Sequence, residues 1–326
     1  MNAELVAAGI LQAVIYLLFI RMMDLYEREP LRYVIPVFIW GFTVAVIVAL
    51  VFNTLAQITI STVASANVTS FITAVFVAPV VEESSKGLAL LLVFLVAFLM
   101  RYRAGSMEFS GVMDGIVYGS AVGFGFAIAE DLLYYAQFGS EAFLMRRIFG
   151  GFAHASFTSL TGVGIGLIPW VRSNFFKVSL PFLGLGCAML LHATFNFTAS
   201  VFGPVAYVVL FFVILAYIVL IAVWLHVERR AIRDELREEV SLGTISAQEY
   251  SILPTYFRRS AYYLGLIFSG QLGTWRKAHK VHGYSVDLAF TKRLARHRHG
   301  GPRPEQVDML RRRIEAARGV AASLST

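Results

Sequence analysis

Apolar residues gather in long blocks along this chain, with short polar or charged breaks between them. About 20 apolar residues in helical form cross a bilayer core, so each block predicts a transmembrane helix. Seven spans result, at 5–22, 33–52, 71–100, 112–136, 150–170, 179–201 and 205–225. The predicted architecture is an all-α polytopic membrane bundle. After residue 225 the pattern changes to charge-rich helical segments, so the chain divides into a transmembrane domain, 1–225, and a basic tail, 226–326.

Composition sharpens this division. The chain is 57% hydrophobic with mean hydropathy +0.68, well above a soluble domain. Up to Leu225 there are 10 Lys/Arg against 11 Asp/Glu, and from His226 onward 18 against 10, so the +7 net charge comes from the tail. The lone Cys187 excludes an intrachain disulfide. The N-terminus lacks a charged leader region and an obvious cleavage site, which reads as a retained first helix. The breaks with Lys/Arg are 21–32, 101–103 and 172–177, and with seven spans these fall on the side of the tail. The positive-inside rule makes that side cytoplasmic, with Arg146 and Arg147 an exception on the outer side. Expected placement is the cell membrane, with the tail in the cytoplasm.

Against this background the polar residues stand out. From Phe71 to Met100 the only charges are Glu82, Glu83 and Lys86. A carboxylate there costs about 2.5–3.5 kcal/mol on insertion scales, so two in succession point to chemistry or transport. Glu82 and Lys86 are i, i+4 neighbours and can neutralise each other, which leaves Glu83 unaccounted for. Further polar groups fall in other spans: Glu130, Asp131, His154, His192 and Asn196. Gly111, Gly115, Gly119 and Gly123 recur every fourth residue and predict a smooth ridge for close helix approach. Gly119, Gly123, Phe126 and Glu130 share that stripe, which turns Glu130 inward. At about 1.5 Å per residue from the outer ends of the spans, Glu83 and His192 lie roughly 18 and 14 Å deep. On the same rise Glu130, Asn196 and His154 lie roughly 9, 8 and 6 Å deep. Four helices thus place polar groups between the midplane and the outer face, which reads as one site open to the outside.

The chemistry of such a site is legible. A carboxylate in a low-dielectric pocket can act as general base toward water. Histidine can shuttle a proton, donate to an oxyanion or bind Zn2+ through a neutral nitrogen. Asn196 can supply an oxyanion donor. Two histidines with carboxylates can also form a zinc site, although no HExxH is present.

These residues carry a resemblance. The run Ala78-Pro-Val-Val-Glu-Glu-Ser-Ser-Lys86 resembles the EExxK motif of the PrsW family of intramembrane proteases, relatives of the type II CAAX prenyl proteases and of a gamma-secretase subunit. Asp114-Gly-Ile-Val-Tyr-Gly119 and Gly123-Phe-Gly-Phe-Ala-Ile-Ala-Glu130 resemble the family's DGxxYG and FxxxE segments. Arg146, His154-Ala-Ser-Phe-Thr158 and His192-Ala-Thr-Phe-Asn196 follow in order, and Asp24-Leu-Tyr-Glu-Arg-Glu-Pro30 resembles its acidic EP segment. The CAAX proteases have histidine where this chain has Glu130, which favours PrsW. The resemblance implies hydrolysis of peptide bonds in membrane-anchored proteins, of which anti-sigma factors are one class. It implies catalytic roles for Glu82, Glu83, His154 and His192, with Glu130 and Asn196 assisting. Lys86 and Arg146 would hold carboxylates in place. His154, His192 and Glu130 would be metal ligands if Zn2+ is used, and no metal is needed if the enzyme is of glutamate type.

In the tail, 228–239 reads as an exposed charged helix, and Ser246 with Glu249 as a capping box. Basic helices near 292–298 and 311–318 are expected beside anionic lipid, with partner docking the alternative, and no nucleic-acid-binding module is recognisable. Two other functions fit the sequence, a proton-coupled transporter and an inactive membrane scaffold.

Overall fold

The computed structural model describes residues 3–27, 29–104, 109–138, 140–297 and 304–319, all helix, turn or coil, with no strand among the described residues. The helices are α1 (Ala3–Met23), α2 (Leu31–Trp40), α3 (Val46–Ser61), α4 (Ala66–Ile72), α5 (Ala78–Ala104), α6 (Val112–Phe138), α7 (Ser140–Gly166), α8 (Asn174–Phe202), α9 (Ala206–Ser241), α10 (Ala247–Ile252), α11 (Tyr256–Phe268), α12 (Leu272–His297) and α13 (Pro304–Arg318). The chain forms two compact units, one of Met1–Asp24 and Glu29–Ala222, the other of Leu25–Arg28 and Val223–Thr326. Helix α9 contributes to both.

In the first unit, wide π-helical turns at Gly41–Ala45 and Thr73–Val77 join α2 to α3 and α4 to α5 without a break. Among the described residues six helical runs are long and apolar enough to cross a membrane, and this is a multi-pass membrane protein. The last run, Asn174–Ser241, holds two helices parted at Gly203, whose φ of 56° suits glycine. Their directions follow from their partners. Along α8, Gly184 abuts Leu160 and His192 abuts Phe157, so α8 runs antiparallel to α7. Along α9, Tyr207 meets Phe149 and Leu210 packs with Phe157, so α9 runs parallel to α7 and recrosses. The six runs thus hold seven apolar helical stretches at the expected positions, α8 and α9 sharing the last run.

Two runs extend past the expected ends: α3 reaches Ser61 and α4 starts at Ala66, where the hydropathy pattern stops at 52 and starts at 71. The hydroxyls of Thr59 and Ser61 bond back to the carbonyls of Leu55 and Ile58, which lets polar residues continue a helix. Glu83 accordingly lies nearer the middle of its run than its distance from Phe71 suggests.

Helix α6 is the centre of this unit and is buried throughout residues 112–129. Its glycine ridge meets α7 in antiparallel register. A Cβ on Gly115 would stand 2.0 Å from the carbonyl oxygen of Gly162, and one on Gly123 would stand 2.5 Å from that of His154. Large apolar residues such as Leu11, Ile47, Phe182 and Leu190 face outward, the inverse of a water-soluble bundle.

The second unit has its own apolar core, in which Ile232, Leu236, Ile245, Leu253, Val286 and Ala289 are buried together. The predicted capping box of Ser246 and Glu249 is present at the start of α10. The expectation of an exposed charged helix over 228–239 is corrected on one face. Glu235 and Glu239 share the inward face with Ile232 and Leu236, and Glu239 is fully buried. Lys292 donates to it at 2.7 Å and Arg311 grips both its oxygens at 2.8 and 3.0 Å, which compensates the buried charge.

Candidate active site

The start of α5 sets the site. Ala78 donates its N–H to Thr73 across the π turn. The next carbonyl, that of Ala74, would take the N–H of residue 79, but that residue is proline and has none. Nδ2 of Asn196 fills the vacancy at 2.8 Å, so Asn196 pins α8 to the turn that aims Glu82 and Glu83 inward. One of the two amide hydrogens of the expected oxyanion donor is thus taken by a backbone carbonyl.

Glu83 is fully buried and fully engaged. Its Oε1 accepts from Lys86 Nζ at 2.8 Å and meets His192 Nδ1 at 3.0 Å, while its Oε2 accepts from the Thr158 hydroxyl at 3.0 Å. Glu82 makes a longer contact, 3.5 Å to the same ammonium. Lys86 Nζ lies between these carboxylates, 3.1 Å from His154 Nδ1 and 3.8 Å from the centre of the Phe126 ring. An ammonium only donates, so His154 Nδ1 is an acceptor and the ring proton sits on Nε2. That nitrogen donates to Glu130 Oε2 at 2.7 Å. By the same logic His192 carries its proton on Nδ1 toward Glu83, leaving Nε2 as the acceptor. The imidazole of His192 stacks on Phe157, with centroids 5.0 Å apart.

The sequence-predicted residues Glu82, Glu83, Lys86, Glu130, His154 and His192 therefore converge on one point from α5, α6, α7 and α8. The side chain of Arg146 lies outside the described residues. Thr158 and the ring of Phe126 join the cluster without having been singled out for it. Both stand one helical turn from a flagged residue, Thr158 after His154 and Phe126 before Glu130, which is the signal that finds them. The quoted acidic segments also meet: Tyr118 donates to Glu29 in a short hydrogen bond, and the backbone N–H of Glu29 donates to Asp24 at 2.8 Å.

The donor atoms of Glu82, His154 and His192 lie within 4.8 Å of one another, and all three residues are buried. One carboxylate with two imidazoles is a donor set that suits zinc and similar divalent ions. Each imidazole is held by a second carboxylate, His154 by Glu130 and His192 by Glu83, the usual support of metal-binding histidines. The trio fits a metal that would take the place of the Lys86 ammonium, which lies 3.1 Å from His154 Nδ1. One expected ligand is corrected. Glu82, and not Glu130, completes the trio, because Glu130 lies on the far nitrogen of His154.

The fold and this centre define an integral membrane protein with a buried carboxylate–imidazole cluster of the type found in metal-dependent hydrolases. A profile described as PrsW family intramembrane metalloprotease matches residues 29–223, more than half of the chain. The chain belongs to this family. It is 32% identical to Protease PrsW of Shouchella clausii over 132 residues, which is 40% of this chain and 59% of that one. It is 29% identical to Protease PrsW of Geobacillus kaustophilus over 163 residues, 50% of this chain and 66% of that one. It is also 29% identical to Protease PrsW of Oceanobacillus iheyensis over 217 residues, 66% of this chain and 92% of that one. The chain thus spans less than two thirds of the first two relatives. No solved structure is significantly similar to it.

Proposed function

We propose that this protein is an intramembrane metalloprotease that hydrolyses a peptide bond of a membrane-anchored protein. The observation that carries this reading is the convergence of Glu82, His154 and His192 inside a membrane bundle, with both imidazoles braced by carboxylates. Those three residues would hold the metal, with Zn2+ the ion the donor set favours. Such an ion supplies an acidified water and polarises a carbonyl.

The remaining roles belong to the chain. Glu83 fixes the tautomer and orientation of His192, and Glu130 does the same for His154. Lys86 neutralises the excess of carboxylates in a low-dielectric setting, and Thr158 occupies the second oxygen of Glu83. Glu130 is the most open of the carboxylates, its side chain 21% exposed against 9% for Glu82 and none for Glu83. It is the natural place for a proton released at the centre to leave. Asn196 ties α8 to the start of α5, and the family resemblance gives Arg146 the role of holding a carboxylate.

The bundle, residues 1–225, carries the chemistry, while the basic tail lies on the cytoplasmic side of the cell membrane. Anti-sigma factors are the class of substrate that the family resemblance favours. The test is cleavage of a panel of single-span membrane proteins by the purified chain in lipid. Loss of cleavage in Glu82→Gln, with wild-type accumulation, supports the reading. Cleavage by neither protein, accompanied by proton-driven solute uptake, would move the assignment to a transporter.

A further inference from the structure

Helix α11 carries two faces. One points into the second unit: Arg259 is buried, donates to the carbonyl of Leu25 in a short hydrogen bond and lies over Tyr26, while Tyr263 bonds His282 at 2.8 Å. The other face is apolar and open. Phe257, Ala261, Leu264 and Phe268 are exposed and spaced i, i+4, i+7 and i+11, which places them on one stripe. Phe257 is 82% exposed and Phe268 86%. A helix with its polar residues turned inward and two phenylalanines turned outward is not a solvated surface. Its charge surroundings name the partner. Between Glu249 and Asp287 there is no acidic residue but five basic ones, Arg258, Arg259, Arg276, Lys277 and Lys280. All of these except Arg259 are exposed, the last three on the first turns of α12 just beyond the tip of α11. Exposed aromatics beside cations, without acids, match the headgroup boundary of an anionic membrane.

We propose that the apolar stripe of α11 and the basic start of α12 dock on the anionic surface of the bilayer that the chain itself crosses. The phenylalanines enter the headgroup–acyl boundary, and Arg258, Arg276, Lys277 and Lys280 meet lipid phosphates. A neutral protein partner would have no use for the exposed cations, and a second copy of this face would oppose them with like charge.

The test uses the full chain in single-chain nanodiscs on a Cys187→Ala background, with Ala261→Cys carrying a polarity-sensitive fluorophore. Glu315→Cys, at an exposed site on α13, is the control. In discs mixing phosphatidylcholine and phosphatidylglycerol, spin-labelled lipid is expected to quench position 261 and not 315. Each replacement of Arg276, Lys277 or Lys280 by Gln should lower the docked fraction's ratio by about fivefold, the value of one basic residue at such a surface. Phe257→Asp with Phe268→Asp should abolish quenching while thermal unfolding stays unchanged. Equal access of iodide to 261 and 315 in anionic discs would overturn the proposal. Protection appearing only in discs that hold two chains would assign the face to a second copy and overturn it as well.

Discussion

Nδ1 of His192 lies 3.0 Å from Oε1 of Glu83, an oxygen that also receives the Lys86 ammonium at 2.8 Å. The two adjacent glutamates are thereby separated in role. Glu83 spends both oxygens on Lys86, His192 and Thr158, whereas Glu82 has its single longer contact to Lys86 and joins the donor trio. Glu83 is a positioning residue in this reading and Glu82 a reactive one.

The first prediction separates them. Glu82→Gln is expected to lower turnover at least about 100-fold with little change in thermal unfolding, as loss of a group at the reacting centre does. Glu83→Gln should lower turnover and also stability, by about 3–5 kcal/mol, because it leaves the buried Lys86 ammonium with only its 3.5 Å contact to Glu82. Turnover and melting in detergent read both effects. Equal stability of the two variants would remove the distinction.

Metal content provides a second measurement. His154→Gln and His192→Gln should each abolish stoichiometric zinc in elemental analysis of the purified chain. Glu130→Gln should weaken binding by about 10–100-fold, the usual effect of removing a residue that supports a ligand. Chelation should stop cleavage and zinc should restore it. Full metal content in both histidine variants would place the ion elsewhere.

Lys86 gives a third. Its ammonium sits 3.1 Å from His154 Nδ1, the nitrogen left free by Glu130. Lys86→Met should destabilise the apo protein by about 3–5 kcal/mol through the uncompensated carboxylate. Added zinc should recover part of that loss, since a cation at the cluster replaces the missing charge. A variant as stable as wild type, with no response to zinc, would show that the ammonium does not share the cluster with an ion.

How much of this was legible in sequence follows from range. The site residues were legible because charge in a membrane span is costly wherever it occurs, so Glu82, Glu83 and Glu130 declare themselves without a fold. The glycine ridge was legible as spacing, and the structure places its partner on α7. The partition of work between Glu82 and Glu83 was not legible, since it depends on Thr158 and His192 arriving from other helices. Nor was the use of Asn196, which answers a carbonyl orphaned jointly by a π turn and Pro79. The inward turn of Glu239 escaped a local reading because its compensation comes from Lys292 and Arg311, far along the chain.

The ridge itself makes a fourth prediction. Gly115→Ala would put a methyl 2.0 Å from the Gly162 carbonyl, and backbone cannot yield as a side chain does. Overpacking of this kind costs about 1–3 kcal/mol or more. The separation of α6 from α7 should also shift His154 and reduce metal binding. Gly186→Ala meets nothing within 4 Å and should leave melting and turnover as in wild type. Equal melting of the two variants would contradict the close approach.

The last prediction concerns acid and the second unit. His282 is only 2% exposed, and its Nδ1 pairs with the Tyr263 hydroxyl at 2.8 Å. Burial holds its pKa down at about 4, opposed by the field of Glu249 and reinforced by those of Arg259, His279 and Arg318. The unfolded chain protonates near the ordinary value of about 6.5. Between these two values the unfolded state binds more protons than the folded one, so stability rises with pH. Acidification from about 6.5 toward 4 should therefore cost up to about 3 kcal/mol, and above 6.5 the residue contributes no pH dependence. His282→Gln keeps an acceptor for Tyr263 and removes the titration, so its acid limb should be flatter than wild type over that window. Hydrogen exchange in α12 as a function of pH reads this within the full chain. A wild-type α12 that becomes better protected as pH falls from 6.5 would mean that His282 is charged in the folded state.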